Sequence, residues 1–321
     1  MKAVVVPRFG PSDVLELVDV PRPEPGPGDV LVEVHAAGVN PRDWLIRSGR
    51  YPFRALLPRF PFILGSDVSG VVAAVGGRVR GFRKGQEVYA MVPSSRGFGG
   101  YAEYVAVPAD AVAPKPSNMS HAEAAGVPLA ALTARQGLLE DAGLKPGQRV
   151  LILGASGGVG SYAVQIARSH GLKVTGVCSG RNLDFVRGLG AARVIDYQTE
   201  PFLDTGEVYD AVFDVIGKES LKRCASVLTG GGVYVTTIPR PRMFRDSLLS
   251  RLRSLLPGER RKSRVVLVRS RGVELAELAR LAEAGELVTH VDRVFPLAEA
   301  AAAHDASRTF RTCGKLVLAV R

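Results

Sequence analysis

The chain is 321 residues long and 46% hydrophobic, enough for two buried cores, with no low-complexity tract and no run of 18 apolar residues to cross a membrane. Its formal charge of +11 points to a polyanion partner only until it is mapped: nine basic and two acidic residues between 238 and 264 carry +7, leaving +4 elsewhere, so no nucleic-acid partner is expected. Three scattered cysteines, Cys178, Cys224 and Cys313, argue against a disulfide framework, and Met1-Lys2 leading straight into Ala3–Val6 shows no signal peptide, so the expected location is cytoplasmic.

Lys2–Pro7 and Leu15–Asp19 read as strands around a turn at Phe9-Gly10-Pro11. Pro21–Pro27 has four prolines at alternating positions and is an extended surface loop. Asp29–Ala37 alternates Val30, Val32 and Val34 with Leu31, Glu33 and His35, which is a strand pattern. Glycine-punctuated β-rich runs follow at Val68–Val75, Glu87–Val92 and Tyr101–Val107. They predict a partly open β-barrel ending near Pro114–Pro116. From His121 the texture changes. Ala122–Gly143 reads as helix broken at Pro128 and Gly137. Strands then follow at Val150–Leu153, Lys173–Val177, Val194–Asp196, Asp210–Asp214, Gly232–Thr236 and Val265–Val268. Helices at Ser161–His170, Arg181–Leu189 and Lys218–Leu228 separate most of them, the alternation of a doubly wound parallel sheet. The end of the chain gives helices at Val273–Ala284 and Leu297–Ser307 and strands at Asp292–Phe295 and Lys315–Val320. A closing strand after such a sheet most naturally returns to the barrel. The expected division is therefore a discontinuous β domain, 1–120 with 271–321, around a nucleotide-binding domain, 121–270, with a cleft between the lobes.

Residues 149–160, Arg-Val-Leu-Ile-Leu-Gly-Ala-Ser-Gly-Gly-Val-Gly, hold the strongest functional signal. A buried strand, a glycine turn and a helix start together make an anion site for a dinucleotide pyrophosphate. Read as G-x-G-x-x-G, the positions are Ala155, Gly157 and Gly160, so alanine stands in place of the first glycine. After the next strand comes Cys178-Ser179-Gly180-Arg181-Asn182, and the first acid is Asp184. A carboxylate there would repel a 2′-phosphate, whereas Ser179 and Arg181 would bind it, so NADPH is expected over NADH. Arg181 as a plain exposed helix-start residue is the other reading.

Ala36-Ala37-Gly38-Val39-Asn40-Pro41-Arg42-Asp43, Gly65-Ser66-Asp67-Val68-Ser69-Gly70, Leu132-Thr133-Ala134 and the Gly154–Gly160 loop resemble the medium-chain dehydrogenase/reductase superfamily. More narrowly, the chain is similar to its zinc-free quinone oxidoreductase branch, including the reticulon-interacting oxidoreductases. The resemblance covers essentially the whole chain. It implies an α/β protein with a GroES-like, partly open β-barrel catalytic domain and a Rossmann doubly wound parallel sheet. Catalytic zinc needs three ligands of Cys, His or carboxylate type. Zinc-dependent relatives supply a cysteine near Asn40 and a histidine–glutamate pair where this chain has Ser66-Asp67, and no cysteine precedes Cys178, so no metal is expected. His35 reads as a core or surface histidine. Without a Lewis acid the substrate must accept hydride through delocalisation, as quinones and α,β-unsaturated carbonyls do.

The resemblance places Asn40, Asp43, Arg47 and Tyr51 in a loop-helix segment facing the nicotinamide, with Asn40, Asp43 and Tyr51 as catalytic candidates. Tyr51 either bonds the substrate oxygen or packs beside Pro52 and Phe53, and Asn40 either acts on substrate or stabilises its loop. For the cofactor the same resemblance implies Thr133, Ser156, Gly157, Gly158, Val159, Ser179, Arg181, Tyr197, Asp214 and Gly217. Gly314 and Lys315 either approach the cofactor or, as preferred, are a turn glycine and a solvated lysine. In 243–256, Leu248, Leu249, Leu252, Leu255 and Leu256 form a stripe beside Arg245, Arg251 and Arg253. That segment either touches an anionic membrane surface weakly or, as preferred, packs over the cleft or a dimer partner. A homodimer through the edge strand Val265–Val268 is expected. The resulting function is reduction of a quinone or enone by NADPH. A dedicated enoyl reductase, or a catalytically weak NADPH-binding protein acting through partners, stands as the alternative.

Overall fold

The computed structural model describes residues 1–204, 206–238, 241–253 and 260–321, except the side chains of residues 56, 241, 242, 249 and 251–253. In chain order the elements begin with β1 (Lys2–Val6), β2 (Glu16–Asp19), β3 (Asp29–Val39), α1 (Pro41–Arg47), β4 (Phe62–Ile63) and β5 (Asp67–Val75). Then come β6 (Glu87–Met91), β7 (Tyr104–Pro108), β8 (Val112–Pro114), α2 (His121–Gly126) and α3 (Pro128–Arg135), the last running into a π-helical turn at Gln136–Asp141. The central part holds β9 (Arg149–Leu153), α4 (Gly158–Ser169), β10 (Lys173–Cys178), α5 (Leu183–Gly188), β11 (Arg193–Asp196), β12 (Tyr209–Asp214), β13 (Leu228–Thr236), α6 (Pro241–Arg253) and β14 (Lys262–Val265). The chain closes with α7 (Gly272–Glu283), β15 (Val291–Pro296), α8 (Ala300–Arg308) and β16 (Lys315–Ala319). Two compact units result: Met1–Leu132 with Arg269–Arg321, and Thr133–Val268.

The first unit is a β-barrel-like body built on β3. One edge of this long strand pairs with β5 along most of its length. Its other edge takes β7 over Asp29–Glu33 and β16 over Ala36–Val39, both antiparallel. One strand can serve two successive partners because its alternating valines Val30, Val32 and Val34 fill one apolar core, and Ala37 and Val39 fill a second. The return of the closing strand to the barrel thus follows from β16 pairing with β3.

The second unit is a six-stranded, all-parallel sheet in the order β11-β10-β9-β12-β13-β14. Numbered within the sheet that is 3-2-1-4-5-6, the Rossmann order, whose ligands sit at the carboxyl ends of the first and fourth strands. β9 is almost continuously apolar because helices cover both faces of such a sheet.

Two sequence expectations need correction. Lys218–Leu228 is not an α-helix but turns and a single 3₁₀ turn at Ala225–Val227. The Asp214 carboxylate takes the N–H groups of Ile216, Gly217 and Glu219 and so shapes the loop that leads into this stretch. The last strand of the sheet lies three residues upstream of the expected Val265–Val268, because pairing with β13 runs from Val233↔Lys262 to Thr236↔Val265. Lys262 and Arg264 suit that edge position, where charge discourages unwanted pairing.

Of the leucine stripe in 243–256, Leu255 and Leu256 and the side chains of Leu249 and Leu252 lie outside the described residues. Within α6, Met243 and Ser250 are buried, Ser250 Oγ accepts the Ser263 N–H of β14 at 2.9 Å, and Leu248 is exposed.

Candidate active site

In the first unit the end of β3 and the start of α1 carry the motif Asn40-Pro41-Arg42-Asp43. Asn40 precedes a helix whose first position is proline, and its backbone N–H donates to Asp43 Oδ2 at 2.8 Å, the reciprocal half of a capping arrangement. The Asn40 side chain is clamped at both ends. Its Oδ1 accepts from Lys315 Nζ at 2.7 Å, and its Nδ2 donates to Asp67 Oδ2 at 2.9 Å. Asp67 is fully buried, its Oδ1 accepts the Leu129 N–H at 2.8 Å, and its Oδ2 lies 3.8 Å from Lys315 Nζ. Burial pushes the Asp67 carboxyl up and the Lys315 ammonium down, while each charge holds the other in its ionised form.

Lys315 is therefore not a solvated lysine; it is 4% exposed. It opens β16 beside the end of β3, where the register pairs Leu316 with Val39. That pairing turns its ammonium onto Asn40.

Asp43 is also fully buried. Besides the Asn40 N–H, its Oδ2 accepts the Tyr101 hydroxyl at 2.9 Å, and its Oδ1 has no partner. Burial pushes its carboxyl up to about 6, opposed chiefly by the Arg42 guanidinium. Tyr101 is held far above the ordinary phenol range by burial and by Asp43, so it keeps its proton and donates. Its oxygen lies 3.3 Å from His304 Nε2, and burial, reinforced by Arg47, drives His304 down to about 3. Gly65 makes this line possible. Its φ is +91°, and a Cβ there would overlap the Tyr101 ring.

Arg42 bonds Ser66 Oγ through Nη2, while its Nε is buried without a partner. Its guanidinium lies 5.5 Å from the Phe98 ring centroid. Phe98 is held at φ +69° between Gly97 and Gly99, a strained conformation for an aromatic residue of the kind that gathers at functional sites. Tyr51 is half-buried against the same core, edge-on to Phe53 at 5.7 Å.

The zinc-type ligand positions do not suit a metal. Asn40, Ser66 and Asp67 are all hydrogen-bonded within the unit, and an ammonium stands beside the only carboxylate among them. No group of three or more His, Cys, Asp or Glu among the described residues is placed to hold an ion. His35 lies 4.4 Å, ring centroid to centroid, from His121, which pairs with Glu87 at 3.2 Å.

In the second unit β9 is followed by Gly154, where φ is +82°. Gly157 N–H closes the turn on the Gly154 carbonyl at 3.1 Å, and α4 starts at Gly158 with no side chain capping it. The first N–H groups of the helix, at Gly158, Val159 and Gly160, are those left without an intrahelical acceptor. The two glycines of the fingerprint do different jobs. A Cβ at Gly160 would overlap the Gly154 carbonyl oxygen, so this glycine allows helix and strand to approach. A Cβ at Gly157 would find nothing nearer than that oxygen at 3.5 Å, so its absence leaves room for a ligand. This cradle fits a dinucleotide pyrophosphate.

Asn182 joins the cradle to the next turn, donating to Ser156 Oγ at 2.9 Å and Ser179 Oγ at 3.4 Å. Arg181 is exposed at the start of the following helical segment, and Asp184 is turned to an ion pair with Arg187 at 2.7 Å. One carboxylate not read from the sequence does reach this turn: Asp196 Oδ2 lies 2.6 Å from where a Gly180 Cβ would be. Tyr197 is exposed, and Thr133 is buried in α3.

Asp214 is hydrogen-bonded within its own unit. Fully buried, it accepts from the N–H groups of Ile216, Gly217 and Glu219 and from the Tyr234 hydroxyl at 2.8 Å, and so it shapes the loop after β12. Gly217 belongs to that loop at φ +72°, where a Cβ would meet Ile238.

Residues 26–117 match the alcohol dehydrogenase GroES-like domain family, and residues 189–318 match the zinc-binding dehydrogenase family. A chloroplastic quinone oxidoreductase of Triphysaria versicolor, QR1, is 36% identical over 99% of this chain and 98% of its own. The chloroplastic NADPH-dependent alkenal/one oxidoreductase of Arabidopsis thaliana is 36% identical over 99% of this chain and 79% of its own. Among solved structures, the quinone oxidoreductase from Coxiella burnetii superimposes with a TM-score of 0.90 at 34% identity, covering 100% of this chain and 99% of that one.

Proposed function

The chain belongs to the medium-chain dehydrogenase/reductase superfamily and is an oxidoreductase of the quinone oxidoreductase type, and from this premise we propose that it reduces a quinone or an α,β-unsaturated carbonyl with NADPH and without zinc. The nicotinamide supplies the hydride. The observation that carries the reading is Lys315 beside Asp67: where zinc-dependent relatives gather ligands, this chain has an ion pair clamping an amide. Such a cluster offers N–H donors and no Lewis acid. It therefore suits substrates whose negative charge spreads onto oxygen as hydride adds.

In this reading Arg42 Nε, an unpaired cationic donor, and the second hydrogen of Asn40 Nδ2 stabilise the developing enolate or quinol oxygen. Lys315 and Asp67 fix which way the Asn40 amide points. Asp43 can hold a proton at Oδ1, the oxygen with no other partner, and its raised pKa brings that proton within reach of neutral pH. Tyr51 lines the same region as a packing or substrate-bonding group.

The Gly157–Gly160 cradle holds the pyrophosphate, with Thr133, Ser156, Gly158 and Val159 about it. Ser179 and Arg181 take the 2′-phosphate, and Tyr197 flanks the adenosine end. Asp196 opposes that phosphate, so Arg181→Glu and Asp196→Asn should move NADPH affinity in opposite directions while changing NADH affinity far less. A homodimer through the edge strand β14 completes the reading, and sedimentation would test it.

The deciding experiment is a stopped-flow screen of NADPH and NADH oxidation against quinones, enals and enones, with elemental analysis for zinc. NADPH-selective turnover by zinc-free protein is expected. A preference for NADH, or activity that depends on zinc, would overturn it.

A further inference from the structure

A cavity of about 260 Å³ opens in the first unit, lined by Gly10, Pro11, Trp44, Arg47, Ser48, Arg50 and Arg308. None of Asn40, Arg42, Ser66, Asp67 or Lys315 lines it, so it is separate from the cluster described above. Three of its seven lining residues are arginines. Arg47 is 1% exposed, and its Nε and Nη1 are buried without any partner. A guanidinium does not escape this by losing its proton, so unpaired N–H groups in such a place carry a standing desolvation cost that an anion would relieve.

The anionic groups of the chain leave room for one. Asp305 bonds Ser12 Oγ at 2.7 Å through Oδ2 and faces Arg308 at 3.7 Å through Oδ1. Asp305 and Asp13 favour the charge on Arg47, while burial and Arg308 disfavour it. Neither carboxylate hydrogen-bonds its Nε or Nη1. Trp44 adds an apolar wall, its indole N–H already donated to Ser307 Oγ at 3.2 Å and its ring edge-on to Phe310 at 5.9 Å. Positive charge concentrated in a concave space with an aromatic side is the chemistry that recognises a phosphate group on a small organic body.

We propose that this cavity binds a small phosphate-bearing molecule, held by Arg47, Arg50 and Arg308. Binding there reaches α1, the helix whose first turn carries Arg42 and Asp43. It also reaches His304, which links Arg47 electrostatically to Tyr101.

The test uses the full chain saturated with NADPH, so that the dinucleotide cradle and the Arg181 turn are already filled. Thermal unfolding is followed in sodium phosphate, glycerol 3-phosphate and sodium chloride at matched ionic strength. A saturable rise in Tm of at least about 2 °C with either phosphate and not with chloride is expected. Arg50→Gln with Arg308→Gln, both at exposed positions, should abolish the rise while leaving NADPH oxidation in chloride unchanged. Arg187→Gln with Arg223→Gln, which removes the same charge from the other unit, should keep it. Tighter binding of glycerol 3-phosphate than of inorganic phosphate assigns the site to an organic phosphate, and equal binding assigns it to the free ion. No phosphate-specific rise, or a rise that survives Arg50→Gln with Arg308→Gln, would overturn the proposal. Neither result depends on which quinone or enone the enzyme reduces.

Discussion

Replacing Lys315 with Met removes a buried ammonium and keeps a side chain of similar length. At 3.8 Å, two unit charges in surroundings with an effective dielectric near 20 attract by about 4 kcal/mol. Asp67 would be left buried and unpaired. Breaking one side of such a pair typically costs about 3–5 kcal/mol, because the abandoned charge keeps its desolvation penalty. The hydrogen bond from Lys315 to Asn40 Oδ1 is lost as well.

Lys315→Met should thus destabilise the first unit by about 4 kcal/mol at neutral pH. In an Asp67→Asn background, where no carboxylate is stranded, the same change should cost only about 1 kcal/mol, the worth of one hydrogen bond. The interaction between the two substitutions should then come to about 3 kcal/mol. Urea unfolding followed by the fluorescence of Trp44, the chain's only tryptophan, reads the first unit directly. NADPH turnover of the double variant adds a second readout. It should fold, yet turn over more slowly, since nothing then fixes the Asn40 amide. A loss below about 1 kcal/mol for Lys315→Met, or an equal loss in both backgrounds, would refute the buried-pair account.

Three further outcomes are expected. Asp43 has a folded pKa of about 6 against 3.8 unfolded, so the folded state binds its proton more tightly, and stability falls as pH rises through that window. Asp43→Asn keeps an acceptor for Asn40 and Tyr101 but cannot ionise. Its stability relative to the parent should therefore grow between pH 4 and 7, by up to about 3 kcal/mol, and a difference that stays flat with pH would count against the shift. Gly157→Ala should leave Tm unchanged and weaken NADPH at least tenfold, whereas Gly160→Ala should lower both Tm and NADPH affinity. NADPH binding by Gly157→Ala equal to the parent's would show that the open side of the turn is not the cofactor cradle. Asn40→Ala and Tyr51→Phe should reduce turnover with little change in NADPH affinity, and unchanged turnover in both would remove them from the reaction.

Much of the architecture was legible because it rests on local rules. The valine alternation of Asp29–Ala37, the apolar run before Gly154 and the break at Pro128 depend on side-chain period and backbone freedom, which neighbours in sequence determine, whereas the expected break at Gly137 is instead a π-helical continuation of the helix over Gln136–Asp141. The expected helix at Lys218–Leu228 is replaced by turns, and the loop leading into it is shaped by the buried Asp214, which accepts the N–H groups of Ile216, Gly217 and Glu219, a side-chain contact that propensity does not register. The partners of Asp214 were equally hidden, since its four hydrogen-bond donors come from residues 216 to 234.

The sequence by itself determined the β-barrel and Rossmann units, the glycine turn and its serine–arginine successor, and the Ser66-Asp67 pair that stands where zinc-dependent relatives have histidine–glutamate. Each is a matter of residue type at a fixed short spacing. Only the tertiary structure decided that Lys315 reaches Asn40 across 275 residues, that Tyr101 and His304 stand in line behind Asp43, and that Arg47 faces a cavity with no acceptor of its own. The cause is register. β16 closes onto β3 and α8 carries His304 to Tyr101, so charges that would be solvated in an extended chain become buried and must find partners in space.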